Sequence, residues 1–120
     1  MAEVVPLRGG EGARVYEGLV RQTVHGERMT ASHYVMQPGS RFPEHKHDQE
    51  QMALVLVGHV NFHVEGRTFR VDAGYLIVIE PNVVHDAESG KDGAEIVSFV
   101  APARRGDDDY EVVEGMPAGP

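Results

Sequence analysis

The stretch Gly39-Ser40-Arg41-Phe42-Pro43-Glu44-His45-Lys46-His47 decides how this chain is read. Side chains alternate faces along an extended strand, so His45 and His47 point the same way. Two imidazoles on one face can hold one metal ion. Gln51 has the same parity and joins that face if the strand continues without a bulge. Glu50 has the opposite parity, and a bulge would exchange the two. His85 comes later, in Pro81-Asn82-Val83-Val84-His85. It meets the pair only if a later strand lies beside the first in a closed sheet.

The rest of the chain supplies such strands. Helical periodicity is hard to find: 14 glycines and 7 prolines leave few windows of helix length. Short apolar or alternating runs recur instead, as in an all-β sandwich or barrel. The expected strands are Val15–Gly18, Leu19–Val24, Thr30–Met36, Met52–Val57, His59–Val64, Arg67–Val71, Tyr75–Ile79, Val84–Glu88 and Ala94–Ala101. Turn signals separate them, among them His25-Gly26, Glu65-Gly66, Ala73-Gly74 and Asp92-Gly93. Val60, Phe62 and Val64 alternate with Asn61 and His63, and Phe69 and Val71 alternate beyond Glu65-Gly66. That pattern reads as a hairpin with one wet face.

Met52–Val57 and Leu76–Ile79 differ, being apolar on both faces. A small barrel has one interior, so their second face calls for cover from this chain or from a second copy. A homodimer is the expectation.

Composition narrows the chemistry. A chain of 120 residues predicts one domain with a real core. Without cysteine, a metal can be bound only by His, carboxylate, amide or water. The formal net charge of -8 disfavours binding to a phosphate backbone. No run approaches the roughly 20 apolar residues of a membrane-spanning helix. The first residues show no basic region followed by an apolar stretch, so no signal peptide is expected and a soluble cytoplasmic protein is the default. From Gly106 the chain reads as an acidic, then Pro/Gly-rich tail over 106–120, partly disordered, with Val112 and Val113 as its anchor. Asp107-Asp108-Asp109 lacks the spaced donors of a calcium loop and reads as a solvated run.

On these residues the chain resembles the cupins, of the small single-domain type. Their first motif is a Gly, five residues, His-x-His, three or four residues, an acid, six residues and a Gly. Gly39, His45, His47 and Gly58 match, with Gln51 in the acid position. The second motif is a Gly, five residues, Pro-x-Gly, two residues and a His. Gly74 and His85 match, while Glu80 and Asn82 replace the Pro and the second Gly. The resemblance spans Thr30 to Arg104. It implies a double-stranded β-helix, or jelly-roll, barrel over 1–105. It also implies one divalent transition metal (Mn, Fe, Ni, Zn or Co) held by His45, His47, Gln51 and His85.

That ligand set has a physical consequence. Three neutral imidazoles and a neutral amide leave the full divalent charge on the ion. Such a site favours anionic, bidentate small-molecule substrates and acts as a Lewis acid. The expected reaction is isomerisation, lyase-type elimination or ring-opening. The alternatives are an iron-dependent dioxygenase acting on a diketone or enol, and a non-enzymatic ligand-binding or sensing module.

Substrate-positioning residues are sought near the barrel mouth. His33 and Tyr34 are neighbours on one strand, so one faces the pocket and the other faces away. Arg104, in Pro102-Ala103-Arg104, is similar to the Arg of a cupin subgroup that linearises unsaturated uronates. That subgroup's Asp and Phe correspond by position to Ser98 and Val100, so two of its three pocket residues differ here. Glu80, beside Pro81, reads as a surface carboxylate, and His25, His59 and His63 as surface or filler residues.

Overall fold

A computed structural model describes residues 1–10 and 12–114. Nine strands fall in the order β1 (Ala13–Tyr16), β2 (Leu19–His25), β3 (Thr30–Met36), β4 (Arg41–Lys46), β5 (Glu50–Val64), β6 (Arg67–Asp72), β7 (Leu76–Ile79), β8 (His85–Ala101) and β9 (Glu111–Val112). All regular structure among the described residues is β, and no helix is long and apolar enough to cross a membrane.

Two long strands organise the barrel. β5 and β8 pair antiparallel from Glu50↔Ala101 to Val64↔His85. Their Gln51–Val55 and Ile96–Val100 halves belong to one wall, flanked by β7 on one side and by β3, β2 and β1 on the other. Their Val60–Val64 and His85–Ser89 halves belong to the facing wall, with β6, β4 and β9. The expected strands Met52–Val57 and His59–Val64 are therefore one strand, as are Val84–Glu88 and Ala94–Ala101.

The reason is steric. Gly58, between two expected strands, and Gly93, expected in a turn, meet where the two strands bend together. A Cβ on Gly58 would lie 2.2 Å from the Gly93 carbonyl oxygen, and one on Gly93 would lie 2.6 Å from that of Met36. Both glycines have positive φ, 74° and 76°. They bend a continuous strand without ending it, as glycines at barrel corners do. Glu65-Gly66 does make the expected hairpin turn, with φ of 48° and 80° at its two central residues.

The bend also shifts side-chain parity. Gln51, Ala53 and Val55 face inward before it, and Val60 and Phe62 after it. Register slips at Val55/Val57 and at Gly58/Val60 account for the change. The core between the walls includes Leu19, Tyr34, Met36, Phe42, Val55, Phe62, Ile79 and Ile96.

The C-terminal segment is held against the barrel over its described length. Residues 106–114 turn back across the mouth, where β9 pairs with His45 and Lys46 of β4. In Asp107-Asp108-Asp109, read as a solvated run, Asp107 and Asp108 are exposed and Asp109 is partly buried, and each carboxylate also has a partner. Asp107 accepts from His25 Nε2 at 2.7 Å, Asp108 from Arg21 at 3.1 Å, and Asp109 from Gln49 at 3.0 Å and Arg105 at 2.9 Å. The remainder of the expected tail, 115–120, lies outside the described residues.

Candidate metal centre

β4 and the start of β8 pair antiparallel with His45 directly opposite His85. The ladder slips between Phe42 and His45, around Pro43, which cannot donate to it. His47 lies just past the end of β4, and Gln51 begins the inward face of β5. The three histidines each offer a nitrogen, and these atoms lie within 4.8 Å of one another. All four side chains are buried.

Their hydrogen bonds fix which nitrogens are offered. A carbonyl can only accept, so each Nδ1 bonded to one carries the proton. His45 Nδ1–H donates to the Pro43 carbonyl at 2.7 Å, His47 to Gln49 at 3.0 Å and His85 to Val83 at 2.8 Å. Each Nε2 is left with a lone pair aimed into the cluster. Gln51 turns its Oε1 to the same point, 2.9 Å from His47 Nε2 and 3.2 Å from His85 Nε2. Lone pairs so close repel unless a cation lies among them. Bonds of about 2.1 Å place neighbouring ligand atoms of an octahedral ion roughly 3.0 Å apart. The donor set therefore fits a divalent metal.

Burial tunes these imidazoles for that role. It is the largest influence on all three and holds each below its usual range. His45 falls to about 2, with the neighbouring His85 adding to the effect, and His85 falls to about 4. His47 moves in the same direction, although its bond to Gln51 opposes the shift. Neutral imidazole is the form that binds metal, so the site needs no deprotonation near neutral pH.

The other expected residues are placed as follows. Tyr34 faces inward and lines a cavity of about 40 Å³ together with His45, Gln51, His85, Ser98 and Arg104. His33 lies on the opposite face, bonded to Glu95 at 2.6 Å and away from the cavity. Of the two alternatives His33 and Tyr34, strand alternation gives the cavity to Tyr34, and a pocket role for His33 is corrected. Gln51 is inward and buried, while Glu50 is exposed. Val100 is buried but outside the cavity lining, and Glu80 is exposed.

Three residues at this end escaped the sequence reading. Phe42 packs on His45 at 4.4 Å between ring centroids, and Tyr110 lies 5.4 Å from the same imidazole. Tyr110 was hidden in the acidic run. Arg21 is buried on β2 beside Tyr34, its cross-strand partner. Its signal was available: it shares parity with Leu19, which made it a charge on an inward face.

A closed β barrel that gathers three imidazoles and an amide inside its mouth defines a class, the jelly-roll barrels whose inward histidines could hold a metal. Residues 32–100 match the family model described as "Cupin domain", and the chain belongs to the cupin domain family. No curated protein matches it by sequence. Among solved structures it is similar to KdgF from Halomonas sp., with TM-score 0.80 and 19% identity, covering 88% of this chain and 97% of that one. An RmlC-like cupin from Shewanella frigidimarina matches with TM-score 0.78 and 23% identity, over 88% and 95%. The polyketide cyclase RemF from Streptomyces resistomycificus matches with TM-score 0.77 and 18% identity, over 94% and 86%. Likeness at these identities concerns the fold.

Proposed function

We propose that this chain is a metal-dependent enzyme for a small, oxygenated, anionic substrate, working by isomerisation, lyase-type elimination or ring-opening. The observation that carries this reading is the convergence of three bare Nε2 lone pairs and the Gln51 amide oxygen on one point, with no carboxylate among them. His45, His47, Gln51 and His85 would hold the ion. When bound there, a divalent metal would polarise substrate oxygens and stabilise negative charge developing on them.

The chain's own groups act around that point. Arg104 brings a fixed positive charge to the cavity wall, and Tyr34 and Ser98 bring hydroxyls. Tyr34 and Phe42 keep the inner side apolar, which excludes water and strengthens each polar contact. Calorimetry with oxalate, a bidentate anion, tests the reading. Zinc-loaded protein should bind oxalate more tightly than chelated protein does, and equal binding would overturn it. Turnover that persists without oxygen separates this chemistry from a dioxygenase.

We also propose that the working form is a homodimer. Met52 pairs with Val78 on one side and Phe99 on the other, and all three stand exposed on the outer face of one wall. Leu76 and Val57 extend the patch. A contiguous apolar face in mid-sheet favours a self-complementary contact.

A further inference from the structure

Arg21 is a buried charge with few partners. It is 95% buried by side-chain exposure of 5%, between Leu19 on its own strand and Tyr34 across from it. A guanidinium has five N–H donors in a planar fork, and burying it is costly unless they are met. Among the described residues its one side-chain partner is Asp108, reached by Nη2 alone at 3.1 Å, and Nη1 has no protein partner. Asp108 itself is 77% exposed.

Arg104 repeats the pattern nearby. It is buried, its Nε is unpartnered, and its Nη1 reaches only the Asp107 carbonyl at 3.4 Å. Both guanidinium groups thus face the same short stretch, residues 107–108, where the C-terminal segment crosses the mouth. Arg104 lines the metal cavity, and Arg21 is the cross-strand neighbour of Tyr34, which lines it too.

We propose that Arg21 is a carboxylate-binding residue beside the metal centre, and that Asp108 is an internal stand-in which a ligand carboxylate displaces. A monodentate bond to a largely hydrated Asp is weak and costs little to break. A bidentate carboxylate would satisfy both Nη groups and gain the stronger, charge-assisted geometry. Arg21 lines an open surface pocket with Tyr16, Asp107, Asp108 and Tyr110, next to the cavity that holds the histidines, so a carboxylate entering there meets the guanidinium once Asp108 moves aside. The carboxylate takes the place of Asp108 on Arg21, while Asp107 and Asp109 keep their own partners and hold the segment on the barrel. The identity of the ligand as a metal-bound small molecule rests on the function proposed above; the carboxylate site does not.

Acetate is the probe, with acetamide as its neutral control. The titration follows the arginine Nε–H signals and the backbone amides of residues 107–110 by NMR, in protein as purified and after chelation. Acetate, unlike acetamide, should move the Arg21 signal and the 107–110 amides in both preparations. Asp108→Asn removes the competitor and should tighten acetate binding by about fivefold. Arg21→Gln should abolish the response. Asp108 is exposed, so its substitution leaves the fold intact and decides the matter even if Arg21→Gln fails to fold. Unchanged acetate affinity in Asp108→Asn, or shifts confined to the histidine ligands, would overturn the proposal. Because chelated protein is included, a missing metal would strike the metal centre and leave this result standing.

Discussion

The two faces of β5 reverse the usual distribution of polarity. Facing inward at its start is Gln51, a buried amide, and one residue on, facing outward, is Met52, an exposed thioether. β7 and β8 repeat the outward theme in Val78 and Phe99, and β8 repeats the inward one in His85 and Ser98. Polar groups are worth burying where their lone pairs converge on a cation, and apolar groups are tolerated outside where a second surface can cover them. The difference teaches that the barrel interior is two regions. One is an ordinary core around Val55, Val60 and Phe62; the other is a neutral, pre-formed ligand cluster at the mouth.

Substitutions one residue apart should break this comparison most sharply. Ala53→Glu puts a charge into the buried core and should cost more than about 3 kcal/mol, enough to leave the chain largely unfolded by circular dichroism. Met52→Glu should leave the circular dichroism spectrum unchanged and shift the mass measured by light scattering from two chains to one. Similar effects from both would remove the distinction between the faces.

The ligand cluster also makes stability depend on pH. The folded histidines are held below the 6.5 of a free imidazole, His85 at about 4 and His45 at about 2. Above pH 6.5 both folded and unfolded chains carry them neutral, and their full contribution is present. As pH falls below that value the unfolded chain takes up protons first. Stability is then lost progressively toward pH 4 and beyond, by up to about 1.4 kcal/mol per pH unit for each histidine. Urea unfolding of chelated protein at pH 7, 5.5 and 4.5 should show the midpoint falling in that order. An added divalent ion should steepen the fall by competing with protons. A flat profile across the window would mean that the imidazoles are not desolvated.

Gln51→Glu sharpens the account of the site's charge. A carboxylate in that position should bind a divalent ion several-fold more tightly while weakening oxalate binding, because it neutralises part of the ion's charge. Calorimetry of both steps checks it, and tighter binding of both would show that ligand charge does not govern anion affinity.

Much of this molecule could be read along the chain. The two-residue spacing of His45 and His47, the glycines at 39, 58 and 74, and the distant His85 pointed to the barrel and to its donor cluster. Period-two alternation separated the faces in the second half of β5, where Val60 and Phe62 are buried. What could not be read depends on contacts distant in sequence. Whether Gly93 turns the chain or bends a strand is decided by the Met36 carbonyl, far away in sequence. Parity arguments fail across the bulges near Gly58, where the inward set changes from odd to even numbers. The partners of the C-terminal segment could not be read along the chain, because Arg21 and His25 on β2 and Gln49 before β5 lie far away in sequence.

The central claim is that His45, His47, Gln51 and His85 hold one divalent ion. Metal analysis of protein expressed with Mn, Fe, Ni and Zn supplied tests it most directly, with His47→Ala alongside. The account predicts close to one ion per chain in the parent protein and its loss from His47→Ala, in which affinity should fall by more than about 100-fold. Less than about 0.2 ion per chain in the parent, or equal content in the two proteins, would contradict it.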